Sequence, residues 1–348
     1  MRKNLIISVL FIFIISITSF AADTRVITEL DGTKVTIPVN PQRIACAYNP
    51  AYDKVIMLSQ ASRLVLIPKS VTLWAKKFYP ELAKLETGQA GTVPDPERLL
   101  QLKVDLVIYP KRSSGKERAA QYGIPLVCPF NLNYVPENID AYTIEFQKQI
   151  SFFADVLGGD AKQKADKYNK YLVDVTKRMK AITSKIKEAD KPKVYYGHAA
   201  NFYSSQGNNS IMHWYTELAG GIYLPKKFNQ YFATTSREEV IGWDPDIIMI
   251  GMNASTRTGG KAKISDLNKL RAYKEGKVYN VPLGIFYWEM TSCETALLPI
   301  FLGKKFHPKL FADWDLIKEM KKFYSEIYGV KISDKDAELI LNALPPEF

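Results

Sequence analysis

The sequence predicts an α/β protein of two Rossmann-like lobes, each a mostly parallel sheet flanked by helices, joined by a single long backbone helix. Three observations carry this. Short apolar runs alternate with helical patterns on both sides of residue 160, the pattern of a parallel sheet covered on two faces. Between the halves, apolar residues fall at Ala161, Ala165, Tyr168, Leu172, Val175, Met179, Ile182 and Ile186. Their steps of 4 and 3 make one stripe of a helix. Finally, Glu97–Ile108 and Glu238–Met249 match at an offset of 141: an acid at a helix start, a short helix, an aspartate, then a buried strand.

In order, Arg25–Pro38 reads as a hairpin about Asp31-Gly32. Arg43–Tyr48, Arg63–Ile67, Val104–Tyr109 and Ile124–Val127 read as strands. Tyr52–Leu58, Trp74–Leu85 and Lys116–Tyr122 read as helices between them, and Asp95-Pro96-Glu97 opens another with an N-cap, proline at N1 and an acid in the first turn. Asn138–Leu157 is a further helix. The long helix is expected from Asp160, its cap, to Ala189, roughly 40 Å. Its stiffness would hold two lobes at a nearly fixed separation across a cleft. Lys193–Gly197, Asp246–Ile250 and Val278–Val281 are the strands of the second half. Ser210–Ala219, Ser236–Gly242 and Ile264–Tyr273 are its helices, and Thr291–Glu294, in capping-box form, opens another to about Gly303. Asp315–Tyr328 and Asp334–Ala343 close the chain. The expected division is 1–21, 22–157, 158–190 and 191–348.

The first of these segments is basic at Arg2-Lys3, apolar from Leu5 to Ile17 and small at Ser19 and Ala21. It reads as a secretory signal peptide cut after Ala21, too short in its apolar run for a membrane span. Its removal takes the formal charge from +11 to +9, 45 basic side chains against 36 acidic. The lysines are spread over helices with no basic block interleaved with aromatics, so no nucleic-acid partner is expected. Cys46, Cys128 and Cys293 are far apart and odd in number, which favours buried free thiols over ligands. No G-x-S-x-G, H-E-x-x-H or phosphate loop occurs, which leaves a secreted enzyme as a remote alternative.

Several stretches in this order resemble one family. They are Thr28–Cys46 (TELDGTKVTIPVNPQRIAC), Pro96–Pro110 (PERLLQLKVDLVIYP), Ser236–Gly251 (SREEVIGWDPDIIMIG), Gly276–Phe311 and Lys321–Gly329. Together they are similar to the substrate-binding proteins of ABC importers in the cluster that handles ferric siderophores, haem, cobalamin and related metal chelates. The resemblance implies a monomeric periplasmic protein that holds its cargo between two lobes and needs no cofactor of its own. It also implies an inner-membrane permease partner, docked through an acid on each lobe; by position these are Glu97 and Glu238, with Glu239 in reserve. The chain lacks the lipid-anchoring cysteine of many members, which points to free diffusion. The expected cargo is an iron–siderophore or similar chelate; cobalamin, haem, a nickel chelate or an oxyanion such as molybdate are the alternatives.

Ligands of doubly wound sheets sit beyond the carboxyl ends of the strands. That rule selects Tyr48, Arg112, His198, Tyr203, Arg257, Tyr287 and Trp288, with Trp74 on one wall. Arg112 and Arg257, on opposite lobes, suit a bidentate clamp on an anionic chelate. His198 and Tyr287 are candidate iron ligands. Phe286, Tyr287 and Trp288 suit stacking on a flat ring.

Overall fold

A computed structural model describes residues 23–110, 114–131, 134–252 and 267–347. The expected signal peptide lies outside them. Strands β1 (Thr24–Thr28) and β2 (Lys34–Pro38) form the expected hairpin. Gly32 takes a positive φ of 88° at its turn, and the Thr33 N–H goes to Asp31 Oδ1 at 3.0 Å. There follow β3 (Ile44–Cys46), α1 (Asn49–Met57), β4 (Leu64–Pro68), α2 (Leu73–Phe78), β5 (Glu86–Gly88), α3 (Pro96–Gln101), β6 (Leu106–Ile108), α4 (Lys116–Gln121) and β7 (Leu126–Val127). The five strands β3–β7 make one parallel sheet in the order β5-β4-β3-β6-β7. The chain works outward from β3 to β5, then returns to β6. The order therefore reverses between β3 and β6, where a doubly wound sheet opens its crevice.

Helices α5 (Ile139–Leu157) and α6 (Ala161–Thr183) follow. The second half holds β8 (Lys193–His198), β9 (Ser204–Gln206), α7 (Ile211–Leu218), β10 (Ile222–Tyr223), β11 (Phe232–Thr234), α8 (Arg237–Trp243), β12 (Ile247–Gly251), α9 (Arg271–Lys274) and β13 (Val278–Asn280). Its parallel sheet runs β10-β8-β12-β13 and reverses between β8 and β12; β9 and β11 pair apart as a two-stranded antiparallel sheet. Helices α10 (Leu298–Phe306), α11 (Leu316–Phe323) and α12 (Asp334–Leu341) close the fold, with a wide helical turn over Tyr324–Tyr328. They return to the first lobe: Tyr79 donates to the Tyr328 carbonyl at 2.7 Å and Lys77 meets Asp336 at 2.7 Å.

The long helix has 23 residues, about 35 Å, and stops short of the expected Ala189. Ile186 leaves the stripe to pack against Gly220. Asp160 stands at the helix start, but its carboxylate takes Gln60 Nε2 at 2.7 Å and caps nothing. Ala161, Ala165, Tyr168, Leu172, Val175 and Met179 are buried, each by about 1.5–3 kcal/mol of transfer energy for the larger ones. They lie in one apolar core that runs from Ile27 to Ala343 through both lobes. The helix is thus a spine whose apolar face belongs to one core shared by both lobes. Smaller clusters cover the outer sheet faces, around Leu99 and Val107 in one lobe and Val240 and Ile248 in the other.

Other differences have local causes. The helix expected over Trp74–Leu85 breaks at Tyr79, because Pro80 excludes the helical conformation of the residue before it. The capping box expected at Thr291–Glu294 does not form. Glu294 is buried, accepts from the Phe286 N–H at 2.9 Å and from the Tyr324 hydroxyl, and 293–297 is a tight turn ahead of α10. Strands β5, β9, β10 and β11, of two or three residues each, carry too little pattern to be read in advance. Cys46, Cys128 and Cys293 are buried and form no disulfide, as expected. Among the described residues no helix is long and apolar enough to cross a membrane.

Candidate functional site

Both sheets present their reversal points to the same cleft. On the first lobe β3 ends in Cys46-Ala47-Tyr48, and the Ala47 N–H bonds the Ile108 carbonyl at the end of β6 (2.8 Å). On the second lobe, β8 ends at His198 opposite Gly251 of β12. Beyond β4, Lys69, Ser70, Val71, Thr72, Leu73 and Lys76 join Tyr287 from the other half around a cavity of about 370 Å³. Two ammonium groups and a serine hydroxyl line it, with no carboxylate. Ser70 donates to Asn49 Oδ1, and Thr72 Oγ1 reaches the Gly284 and Ile285 carbonyls at 2.9 and 3.0 Å. Tyr52 adds a bond to the Ile285 carbonyl at 2.6 Å, so the segment carrying Tyr287 is fixed to the first lobe. The cavity is walled by both halves and held rigidly.

This is two doubly wound lobes, a shared spine and a cleft at both reversal points. The sequence profile of the periplasmic binding protein family matches residues 44–283. The chain belongs to that family. Molybdate-binding protein MolA of Haemophilus influenzae is 23% identical over 357 residues, covering 95% of this chain and 98% of that one. The structure of MolA bound to molybdate superposes with a TM-score of 0.78 at 20% identity, over 89% of this chain and 99% of that one. A periplasmic solute binding protein of Veillonella parvula gives 0.72 at 24% identity, over 92% and 97%. Helicobacter pylori CeuE with Ni(II) bound gives 0.69 at 17%, over 90% and 99%. Identities at this level establish the fold. The family assigns the protein its role as the binding component of an ABC transporter.

Within this periplasmic binding protein the expected ligand residues separate into three groups. Some face the cleft. Tyr48 is half-buried, edge-on to Phe130 at 4.6 Å; burial pushes its phenol up to about 12, against the lowering effect of the Thr291 side chain at its hydroxyl. Tyr287 lines the Lys69 cavity. His198 is half-buried, packs against Tyr196 and Phe232, and its Nε2 is buried with no partner. Burial lowers its pKa, so the imidazole is neutral near pH 7. Others belong to the core. Trp74 is fully buried, stacks on Phe78 and donates Nε1–H to the Leu344 carbonyl at 2.9 Å, so it does not line a wall. Trp288 and Phe286 are likewise enclosed, leaving Tyr287 alone of the expected aromatic triad at the cleft. Tyr203 packs with Phe202 in the outer cluster, on the face of the sheet away from His198 and Tyr196. Arg112 and Arg257 lie outside the described residues.

Lys69, Ser70 and Lys76 were missed. The strand-end rule applied to β4 would have found the first two, since they follow it directly. Glu289, which the strand-end rule also selects after Trp288, is fully buried at the β12 exit, accepts the Met252 N–H at 2.6 Å and lies against the Tyr196 hydroxyl. Burial pushes it up to about 7. Among the described residues no three His, Cys, Asp or Glu side chains gather to hold a metal.

Glu97 and Glu238 are each the second residue of their helix, α3 and α8, and both are exposed. Neither caps its helix: Asp95 does so in α3, and in α8 the capping box joins Ser236 to Glu239. Glu239, the reserve, is engaged by that box and by Lys227.

Proposed function

We propose that the protein carries a small tetrahedral oxyanion of the molybdate class to its permease. The observation that carries this is a division of the cleft's side chains. The flat apolar surfaces that a ring-bearing chelate needs, Trp74, Phe286 and Trp288, are in the core, while Lys69, Ser70 and Lys76 offer hydrogen-bond donors without an opposing carboxylate. The likeness to a molybdate-binding relative supports the same reading. Molybdate and tungstate are expected to raise the melting temperature and to show saturable heats in calorimetry. Lys69→Met with Lys76→Met should weaken both at least about tenfold, the loss of two charge-assisted contacts. Tight binding of a ferric siderophore with no response to either oxyanion would overturn the proposal.

A second reading, an iron chelate whose last coordination positions are closed by His198 and Tyr287, is supported by the unpartnered, neutral His198 Nε2. It predicts a visible charge-transfer band with a ferric chelate, changed by His198→Gln. In either reading Glu97 and Glu238 dock on the permease, and residues 1–21 are removed on export. Alanine at both acids should abolish transport in cells while leaving ligand affinity intact, and the intact mass of the exported protein should begin at Ala22.

A further inference from the structure

The two copies of the helix-to-strand unit share a feature that folding does not require. Helices α3 and α8 pack on their sheets through Leu99 and Val240, both buried. The next residue in each is large, apolar and turned outward: Leu100 is 50% exposed and Ile241 is 42% exposed, at the same offset of 141. Each stands three positions after the exposed acid, Glu97 or Glu238, and that spacing puts the pair on one side of the helix. The acids on that side are free. Around α3, Arg98 pairs with Glu86 at 2.6 Å and Arg118 with Asp95 at 3.0 Å; around α8, Lys227 takes Glu239. Among the described residues no ion pair reaches Glu97 or Glu238. A single exposed leucine is ordinary on a protein surface. A free acid beside an outward apolar residue, at matched places in both lobes, is a paired surface.

We propose that Leu100 and Ile241 are the apolar anchors of the permease interface, each seated beside the acid of its own lobe in a socket with an apolar floor and a cationic rim. This rests on the docking role of Glu97 and Glu238 given above and adds the part of the contact that charge does not supply. Both faces stand at the cleft end of the molecule. The chain enters α3 after Gly91, whose N–H bonds the Ala47 carbonyl beyond β3 at 2.8 Å. It enters α8 after Thr235, whose N–H bonds the Tyr203 carbonyl beyond β8 at 2.8 Å. The spacing of the two faces is fixed, because Tyr52 and Tyr79 of the first lobe hold the Ile285 and Tyr328 carbonyls of the second half at 2.6 and 2.7 Å. The partner must therefore offer two like sockets at one separation. Exposed ion pairs contribute little and are screened by salt, so the free acids steer and orient, while burial of the two apolar side chains holds the complex.

The test measures docking of the exported protein on its permease in lipid nanodiscs by interferometry, at about 50 and about 500 mM sodium chloride. Leu100→Ala and Ile241→Ala are each expected to weaken docking about fivefold, and the double variant about 25-fold, at both salt concentrations. Leu100→Met and Ile241→Leu should keep wild-type affinity. Glu97→Ala with Glu238→Ala should weaken docking strongly at low salt and less at high salt. Thermal melts verify that every variant folds. The proposal is overturned if both alanine variants of the apolar pair dock within about twofold of wild type, if their loss disappears at high salt, or if the wild type itself does not dock. The two roles fail separately: docking that survives loss of the acids but not of Leu100 and Ile241 removes the acids from the interface and upholds the anchors, and the reverse result removes the anchors alone.

Discussion

Residues 96–108 of the first lobe and 237–249 of the second carry the same helix-to-strand unit, 141 positions apart, and the two copies agree in their strained points as well as in their strands. Each helix is followed by a non-glycine residue at positive φ, Lys103 at 52° and Asp244 at 41°. Each then has an aspartate whose carboxylate ties down the start of the neighbouring strand: Asp105 accepts the Gln42 and Arg43 N–H groups at 2.7 and 2.9 Å, and Asp246 accepts that of Lys193 at 2.7 Å. The copies differ in what surrounds this shared frame. The first helix has a lone cap, Asp95; the second has a full box. Strand β6 leaves through Tyr109, whose N–H pairs with the Val127 carbonyl at 3.0 Å. Strand β12 leaves through Met252, whose N–H goes to buried Glu289. What is common holds a strand beside its neighbour at the reversal point. What differs lies toward the cleft, where the second copy meets a buried carboxylate, Glu289.

The largest expected effect breaks the comparison at that exit. Burial raises Glu289 to about 7 from an ordinary glutamate near 4.5. An acid with a raised folded pKa contributes its full stability below the unfolded value and loses it as pH rises toward the folded one. Between about pH 4.5 and 7 the wild type should therefore lose on the order of 3 kcal/mol relative to Glu289→Gln, then level off. Melting temperatures of both proteins across that range measure it. Parallel curves would mean that Glu289 is ionised in the fold and paired by something else.

The frame of this protein was legible because it rests on periodic signals: the 4-and-3 stripe of α6, the apolar strand runs and the repeat itself. Glu97 and Glu238 were legible for the same reason, as matched positions in a repeat. The cleft was less so. Trp74 and Trp288 fall near strand ends in sequence, but a helix or turn after a strand faces both inward and outward, and residue order does not say which. Trp74 turns inward because the returning chain end offers the Leu344 carbonyl to its indole, a contact 270 positions away. The polar wall at Lys69 and Ser70 carries no periodicity, and only the topology marks it.

The aspartates sharpen the comparison next. Asp105→Ala removes the carboxylate acceptor of two backbone N–H groups on exposed residues and should cost about 2 kcal/mol. Asp246→Ala strands one and breaks a pair with Arg271 at 2.7 Å, for about 1.5 kcal/mol near neutral pH. Asp246 is held below the ordinary carboxylate range by the Lys193 N–H and Arg271, which outweigh its burial. Its contribution is present above the unfolded pKa near 3.9 and is lost as pH falls through the folded value. Urea unfolding at pH 7 and pH 3 should show the cost of Asp246→Ala shrinking at the acid end.

The smallest effect tests whether the shared positive φ is tolerated strain or a requirement. An L-residue in the left-handed region pays roughly 1–2 kcal/mol, and glycine relieves it at an entropic cost of about 0.5–1 kcal/mol. Lys103 is exposed and no side-chain bond ties it down, so Lys103→Gly should stabilise the protein by about 0.5 kcal/mol. Asp244→Gly has the same backbone gain but gives up the Arg271 contact at 3.1 Å. An exposed pair of that kind is worth about 0.2–1 kcal/mol, so the net change should be near zero. Denaturant midpoints of the two variants, at equal slope, decide it. A loss at both positions would show that the side chains act on the turn, and that the backbone alone does not define the repeat.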